Sequence, residues 1–301
     1  MLPGLALVAP AAHAEIDHYH FKVVESSTIP MSFKVTTLKV LSLKASSLRV
    51  SSHIALIFDE QTQRPLYNKN AQMVVPIASI TKLMTAMVVL DAQLPMDVEV
   101  SVAEDDPTTI KRARSRLRIG MTFTRNEMLK LALMASENRA ALALARSYPG
   151  GTAALVAAMN AKARVLDMQN TRFFDPTGLN SDNVSTAQDL VKMVAAARDY
   201  ALIHQYTTTV THSVDGSGGR AMRFSNTNPL VRSASWDIGL SKTGFINEAG
   251  RCLVMQATIS HRPVIIVLLD SWGRRTRVGD ANRIKKWMES ANTPDRAARR
   301  G

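Results

Sequence analysis

The stretch that decides the fold is Pro76–Leu90, "PIASITKLMTAMVVL". Its residues are apolar or small, the composition of a helix buried in a core, except for one cation, Lys82, three positions after a hydroxyl, Ser79. Burying an ammonium is costly unless the group is paired or gives up its proton. On a helix, positions i and i+3 share a face, so the Lys82 amine is expected to reach Ser79. Pro76 and Ala78 place Ser79 in the first turn, where free backbone N–H groups and the helix dipole favour a developing negative charge. Apolar surroundings lower a lysine's pKa, and a neutral Lys82 would serve as a general base. The tetrapeptide alone is weak: in a chain this rich in lysine, S-x-x-K is expected roughly once by chance. A lysine at the rim of a core helix would read the same way.

Upstream, "HIALIFDEQTQRPLYNKN" from His53 places two apolar runs, His53–Phe58 and Pro65–Asn68, around a polar turn, which predicts a β-hairpin. Residues 91–205 read as mostly helical, with Ala/Leu/Met-rich segments divided by the loops "YPGG" and "DPTGLNSDN". "STAQDLVKMVAAARDY" opens on a Ser/Thr cap ahead of an apolar face. Strands return in "WDIGLSKTGF", "GRCLVMQATI" and "PVIIVLLDSW", and "ANRIKKWMESA" is a closing helix. Strands at both ends with helices between predict an α+β fold. In it, an antiparallel sheet is assembled from both chain ends, flanked by helices, with a helical subdomain inserted.

Two further motifs carry chemistry. Lys242-Thr243-Gly244 lies near the end of a predicted strand, where an ammonium and a hydroxyl can hold a carboxylate and the glycine lets a substrate backbone approach. S-x-N occurs at Ser136-Glu137-Asn138, in the apolar segment "LALMASENRAALALA", and at Ser181-Asp182-Asn183, in a loop. Ser136 is preferred, because polar groups inside an apolar helix need partners while Ser, Asp and Asn are ordinary turn residues. From Ser79 to Ser136 run 57 positions and from Ser136 to Lys242 106, whereas Ser181 would leave only 61.

S-x-x-K, S-x-N and K-T-G in this order resemble the signature of penicillin-binding proteins and serine β-lactamases. The spacings of 57 and 106 positions are the ones this resemblance implies. Within that superfamily the chain is similar to low-molecular-mass DD-peptidases of the D-alanyl-D-alanine endopeptidase type, the penicillin-binding protein 7 group. The resemblance runs from about Ser52 to Glu289 and also rests on "F-x-D-P-T-G-L", "NVSTAQDL", "NTNPLV" and "KTGFINEAGRCLVM". It implies a DD-peptidase/β-lactamase-like fold and a set of roles. Ser79 would be the nucleophile, Lys82 its base, and Ser136 the hydroxyl relaying a proton to the leaving amine. Asn138 would hold the substrate amide and Lys82, while Lys242, Thr243 and Gly244 bind the carboxylate beside the scissile bond. The backbone N–H groups of Ser79 and Phe245 would form the oxyanion hole. The implied reaction is serine D,D-endopeptidase cleavage of D-Ala–diaminopimelate cross-links in peptidoglycan through an acyl-enzyme. β-Lactam antibiotics would be covalent inhibitors, and neither metal nor cofactor is required.

A D,D-carboxypeptidase would use the same site. A serine β-lactamase of class A needs a glutamate to activate the deacylating water, and none occurs between Glu137 and Glu248. A non-catalytic wall-binding protein has no reason to keep every polar position of the three motifs. The 37 Lys+Arg against 25 Asp+Glu give a net charge of +12, which favours a polyanionic partner such as an anionic membrane surface or the acidic cell wall. Only 5% of residues are aromatic and no zinc-finger spacing or RNP-like run occurs, so no nucleic-acid partner is expected.

Residues 1–14, ending in Ala12-His13-Ala14 before Glu15, read as the tail of a secretory signal, so a periplasmic location is expected. Residues 15–50, with "TLKVL", "SLKAS" and "SLRVS" in succession, read as an extended or disordered basic spacer, able to support loose membrane or wall association. Residues 51–290 are the catalytic domain and 291–301 a basic tail. No match to the further C-terminal domain of longer carboxypeptidases is expected. His18 and His20 fall in the spacer, and the single Cys252 is expected to be a buried structural thiol.

Overall fold

The computed structural model describes residues 48–104, 115–216 and 221–292. Its centre is a five-stranded antiparallel sheet in the order β2-β1-β11-β10-β9. β1 (Ile54–Asp59) and β2 (Arg64–Lys69) form the predicted hairpin. β9 (Asp237–Ile246), β10 (Gly250–Ile259) and β11 (Arg262–Ser271) come from the far end of the sequence. β1 closes on β11, Ile54 opposite Leu269 and Asp59 opposite Val264, so the two ends of the chain meet in the middle of the sheet.

The near-continuous apolar runs of these strands follow from burial on both faces. Along β11, Ile265, Val267 and Leu269 enter one core while Val264, Ile266 and Leu268 enter another. The first core lies between the sheet and a helical body. That body contains α1 (Thr81–Asp91), α2 (Arg125–Met134), α3 (Asn138–Arg146), α4 (Gly151–Val165), α5 (Ala187–Ala197) and α6 (Ala201–Thr208). The second core lies under α7 (Thr276–Asn292), which brings Ala281, Ile284, Trp287 and Met288 onto the sheet.

α1 is the hub. Every residue from Thr81 to Val89 is buried, which explains why the opening stretch shows no polar face. α2 starts with a capping box, Thr124 and Glu127 bonding each other's backbone N–H, and α5 starts on the predicted Thr186 cap, whose hydroxyl accepts from Asp189 N. The insert is not purely helical. It holds the small pairs β3 (Val75–Pro76) with β6 (Val184–Ser185) and β4 (Glu99–Ser101) with β5 (Thr122–Thr124), and its last helix continues to Thr208, beyond the expected limit at 205. A hairpin of β7 (Thr211–Asp215) and β8 (Ala221–Ser225) then leads back to the sheet.

The spacer expected over 15–50 ends earlier than predicted. Leu48 and Val50 are only 7% and 8% exposed and belong to the second core. Ser51 N and Ser52 N donate to the Asp280 carboxylate of α7 at 2.8 and 2.7 Å. The basic residues around these two positions hid an apolar pair, one residue apart, facing the sheet. Residues 15–47, the expected signal, His18, His20 and the tail beyond 292 lie outside the described residues. Leu48→Ala should lower the unfolding free energy by about 2 kcal/mol, measured by urea denaturation. No change would return Leu48 to the spacer.

Candidate active site

Ser79 sits in a 3-10 turn, Ala78–Ile80, that runs directly into α1. Ala78 has φ 48°, a left-handed conformation that strains a residue carrying a Cβ. The turn is held by Thr81, whose hydroxyl donates to Ala78 O at 2.8 Å and accepts from Asn183 Nδ2 at 3.1 Å. One turn on, Lys82 is 1% exposed. Its Nζ lies 2.9 Å from Ser79 Oγ, 2.7 Å from Asn138 Oδ1 and 2.7 Å from Thr177 O. Two of these three partners can only accept. A neutral amine has two N–H donors, so they would go to Asn138 and Thr177 and leave its lone pair facing the Ser79 hydroxyl. Burial pulls the Lys82 pKa down to about 7, against the opposing pull of Asp175 and Glu137.

Ser136 occupies a different setting from the one expected. It is not inside a helix but in the break between α2 and α3, at φ 59°. Ala135 N and Glu137 N both donate to Leu131 O at 3.1 Å, a left-handed helix stop in which serine takes the position glycine usually fills. Its apolar flanks produced the appearance of one continuous helix. The break turns the Ser136 hydroxyl toward β9, where Lys242 Nζ donates to it at 2.8 Å, and starts α3 at Asn138. Ser136 therefore pairs with Lys242, and Asn138 alone links the motif to Lys82, as expected of it. Lys242 is itself 1% exposed, and burial, with the charges of Lys82 and Arg277, holds its pKa well below the usual lysine range.

β9 can approach Ser79 this closely only because residue 244 is glycine. A Cβ there would lie 2.9 Å from Ile77 O and 3.1 Å from Ser79 N. Thr243 donates to Thr227 Oγ1 at 2.6 Å, and Thr227 is held beside it by Asn226 and Asn228, the "NTN" of the sequence. Phe245, half exposed, lies under the guanidinium of Arg251 at 4.4 Å.

The structure gathers Ser79, Lys82, Ser136, Asn138, Lys242, Thr243 and Gly244 into one cleft. It sets Ser181 apart: the loop around it serves to shape the backbone, with Asn183 Oδ1 accepting from Phe174 N and Asp175 N. Two contributors had not been singled out. The Thr177 carbonyl is aimed at Lys82 by Asp175, whose carboxylate accepts from Thr177 N, Gly178 N and Asn180 N at 2.5, 2.7 and 2.6 Å. The D-P-T-G spacing was the signal for that loop. Arg277 of α7, which approaches Gly244 O at 3.5 Å, adds a third cation and left no local mark in the sequence. Cys252 is fully buried opposite Gly244 on β10, with its thiol pushed up to about 11 by burial, the inert state expected of it.

The sequence matches the D-alanyl-D-alanine carboxypeptidase family, peptidase family S11, over residues 41–273. The chain belongs to that family. A D-alanyl-D-alanine endopeptidase of Pseudomonas aeruginosa is 49% identical over 242 residues, 80% of this chain and 78% of the relative. The crystal structure of the Streptomyces K15 DD-transpeptidase superposes with a TM-score of 0.73 at 28% identity, covering 79% of this chain and 97% of the other. Penicillin-binding protein D2 of Listeria monocytogenes in its ampicillin-bound form gives a TM-score of 0.68 at 27% identity, covering 80% and 98%. The family explains why the helical insert sits between strands drawn from the two chain ends. Among the described residues no helix is long and apolar enough to cross a membrane.

Gly178 tests how tightly the loop and the nucleophile turn are interlocked. It has φ 82°, and a Cβ there would fall 1.9 Å from Ala78 O. Gly178→Ala should cost about 3 kcal/mol of stability in thermal or urea unfolding. A cost below about 0.5 kcal/mol would mean that the two segments are not in rigid contact.

Proposed function

We propose that this chain is a serine D,D-endopeptidase that opens D-Ala–diaminopimelate cross-links of peptidoglycan through an acyl-enzyme on Ser79. One observation carries the reading: the Lys82 amine faces two obligate acceptors and one hydroxyl, so its neutral form can take only the Ser79 proton. Ser79 Oγ attacks the D-Ala carbonyl as Lys82 removes its proton. The oxyanion forms against the backbone N–H groups of Ser79 and Phe245. Ser136 passes a proton to the leaving amine, and Asn138 bonds the substrate amide while holding Lys82. Lys242 and Thr243 receive the α-carboxylate of the leaving diamino acid, and its negative charge restores the proton affinity that burial takes from Lys242. Water then hydrolyses the acyl-enzyme.

A D,D-carboxypeptidase reaction would use the same groups, since a terminal D-Ala presents the same carboxylate. A class A β-lactamase requires a carboxylate free to activate the deacylating water, and the two that act on Lys82, Asp175 and Glu137, are committed elsewhere. Asp175 is saturated by loop N–H groups, and Glu137 accepts from Ser115 Oγ at 2.6 Å. We further propose export to the periplasm by the leader ending at Ala14, with the basic segment 15–47 giving loose wall or membrane association.

Digestion of cross-linked muropeptides followed by mass spectrometry is the deciding experiment: loss of D,D-dimers is expected, and intact dimers would sink the endopeptidase reading. Labelled penicillin should attach covalently to the native chain and not to Ser79→Ala. Ser136→Ala should slow acylation by about 10²-fold or more, whereas Ser181→Ala should leave it unaltered. Acylation needs neutral Lys82, whose pKa is about 7. Its rate should therefore rise about tenfold per pH unit below that value and level off above it. A rate independent of pH between 5 and 8 would remove Lys82 as the base.

A further inference from the structure

Behind the Ser136 turn lies a second cavity of about 420 Å³, floored by Leu117, Met121 and Met222 and lined by three arginines, Arg116, Arg118 and Arg139. No carboxylate lines it among the described residues. Arg139 stands in the first turn of α3, three residues after Ser136, and the wall residues Ser115 and Arg116 bond to Glu137, the residue between Ser136 and Asn138. Its wall is built rather than incidental. Arg139 donates to Leu117 O at 2.5 Å, the Arg116 guanidinium donates to Arg223 O of β8 at 2.5 Å, and Arg116 stacks 3.9 Å from the Phe224 ring. Glu137, the acid that could have neutralised the group, is turned inward onto Ser115 Oγ and Arg116 N. The Arg139 Nε is buried without a partner, and the exposed Arg118 guanidinium makes no hydrogen bond among the described residues. Two anchored guanidinium groups and a third, Arg118, with its donors free among the described residues form a site for carboxylates.

We infer that Arg116, Arg118 and Arg139 bind the acidic stem peptide attached to the leaving diamino acid, and that this subsite selects cross-links over free peptide ends. The inference rests on the function proposed above. There, Ser136 protonates the leaving amine, so a cavity behind Ser136 lies on the leaving side. In a carboxypeptidase reaction the leaving group is a single amino acid whose only carboxylate is taken by Lys242 and Thr243, and the arginines would have nothing to hold. In a cross-link the leaving amine belongs to a second stem, whose remaining carboxylates continue past Ser136 into the cavity. The subsite therefore deepens the endopeptidase assignment by giving the second stem a binding place.

The test uses the whole chain and three probes: a D,D-cross-linked muropeptide dimer with free carboxylates, the same dimer amidated on the second stem's other carboxylates but with the α-carboxylate beside the scissile bond left free, and labelled penicillin. The quantity read is kcat/KM for each dimer divided by the penicillin acylation rate constant. For the acidic dimer, Arg118→Glu should lower this ratio on the order of tenfold, mostly through KM, and Arg118→Lys should retain most of it. The wild-type protein should already cleave the amidated dimer more slowly, and Arg118→Glu should add little to that loss. The subsite is overturned, with the enzymatic reading intact, if the wild type accepts penicillin and cleaves both dimers equally, or if Arg118→Glu leaves the ratio unchanged. If the wild type neither accepts penicillin nor cleaves either dimer, the reading of Ser79 fails and the subsite fails with it.

Discussion

Two ammonium groups buried within one cleft are the constraint around which this molecule is arranged. Lys82 and Lys242 are each 1% exposed; burial depresses the proton affinity of both, and the charge of Lys82 depresses that of Lys242 further. The fold resolves them differently. Lys82 receives two obligate acceptors, from Asn138 and Thr177, plus a hydroxyl, and settles near pH 7 at the boundary between charged and neutral. Lys242 receives Ser136 Oγ and Thr243 O, a thinner set, and is left short of negative charge. One lysine is thereby prepared to accept a proton and the other to accept an anion.

Putting those acceptors in place requires backbone that most residues avoid. Ala78 and Ser136 both adopt positive φ, and glycine at 178 and 244 lets the D-P-T-G loop and β9 close to contact distance around Ser79. Non-glycine residues in this region cost on the order of 1 kcal/mol or more each. They persist because the surroundings over-determine them: α1 is buried through nearly its whole length, and the sheet behind it is packed on both faces. The second core, remote from the cleft, contributes to the site by making the sheet rigid enough to hold β9 against the nucleophile turn.

Much of this was legible in the sequence because the informative features are local or periodic. The hairpin, the three late strands and α7 announced themselves through apolar runs and turn residues, and the three motifs through spacing. What escaped was set by tertiary geometry. The break at Ser136 has no glycine or proline to mark it, since the hydroxyl is needed where glycine would fit best. The burial of Leu48 and Val50 depends on α7, more than 220 positions away. Arg277 is one arginine in a basic segment, and only the packing of α7 against the sheet distinguishes it from Arg274 and Arg275. The left-handed turn that points the Ser136 hydroxyl at Lys242 of β9 is likewise invisible in the order of the motifs.

The placement of charge then sets what the cleft can accept. Lys82, Lys242 and Arg277 face it or lie beside it, while the nearby acids are consumed by structure, Asp175 in its loop and Glu137 beneath Ser115. A site with its cations desolvated and its anions diverted is unstable toward binding negative charge. In the function proposed above, a substrate carboxylate would supply the missing partner to Lys242 and return the proton affinity that burial takes from it.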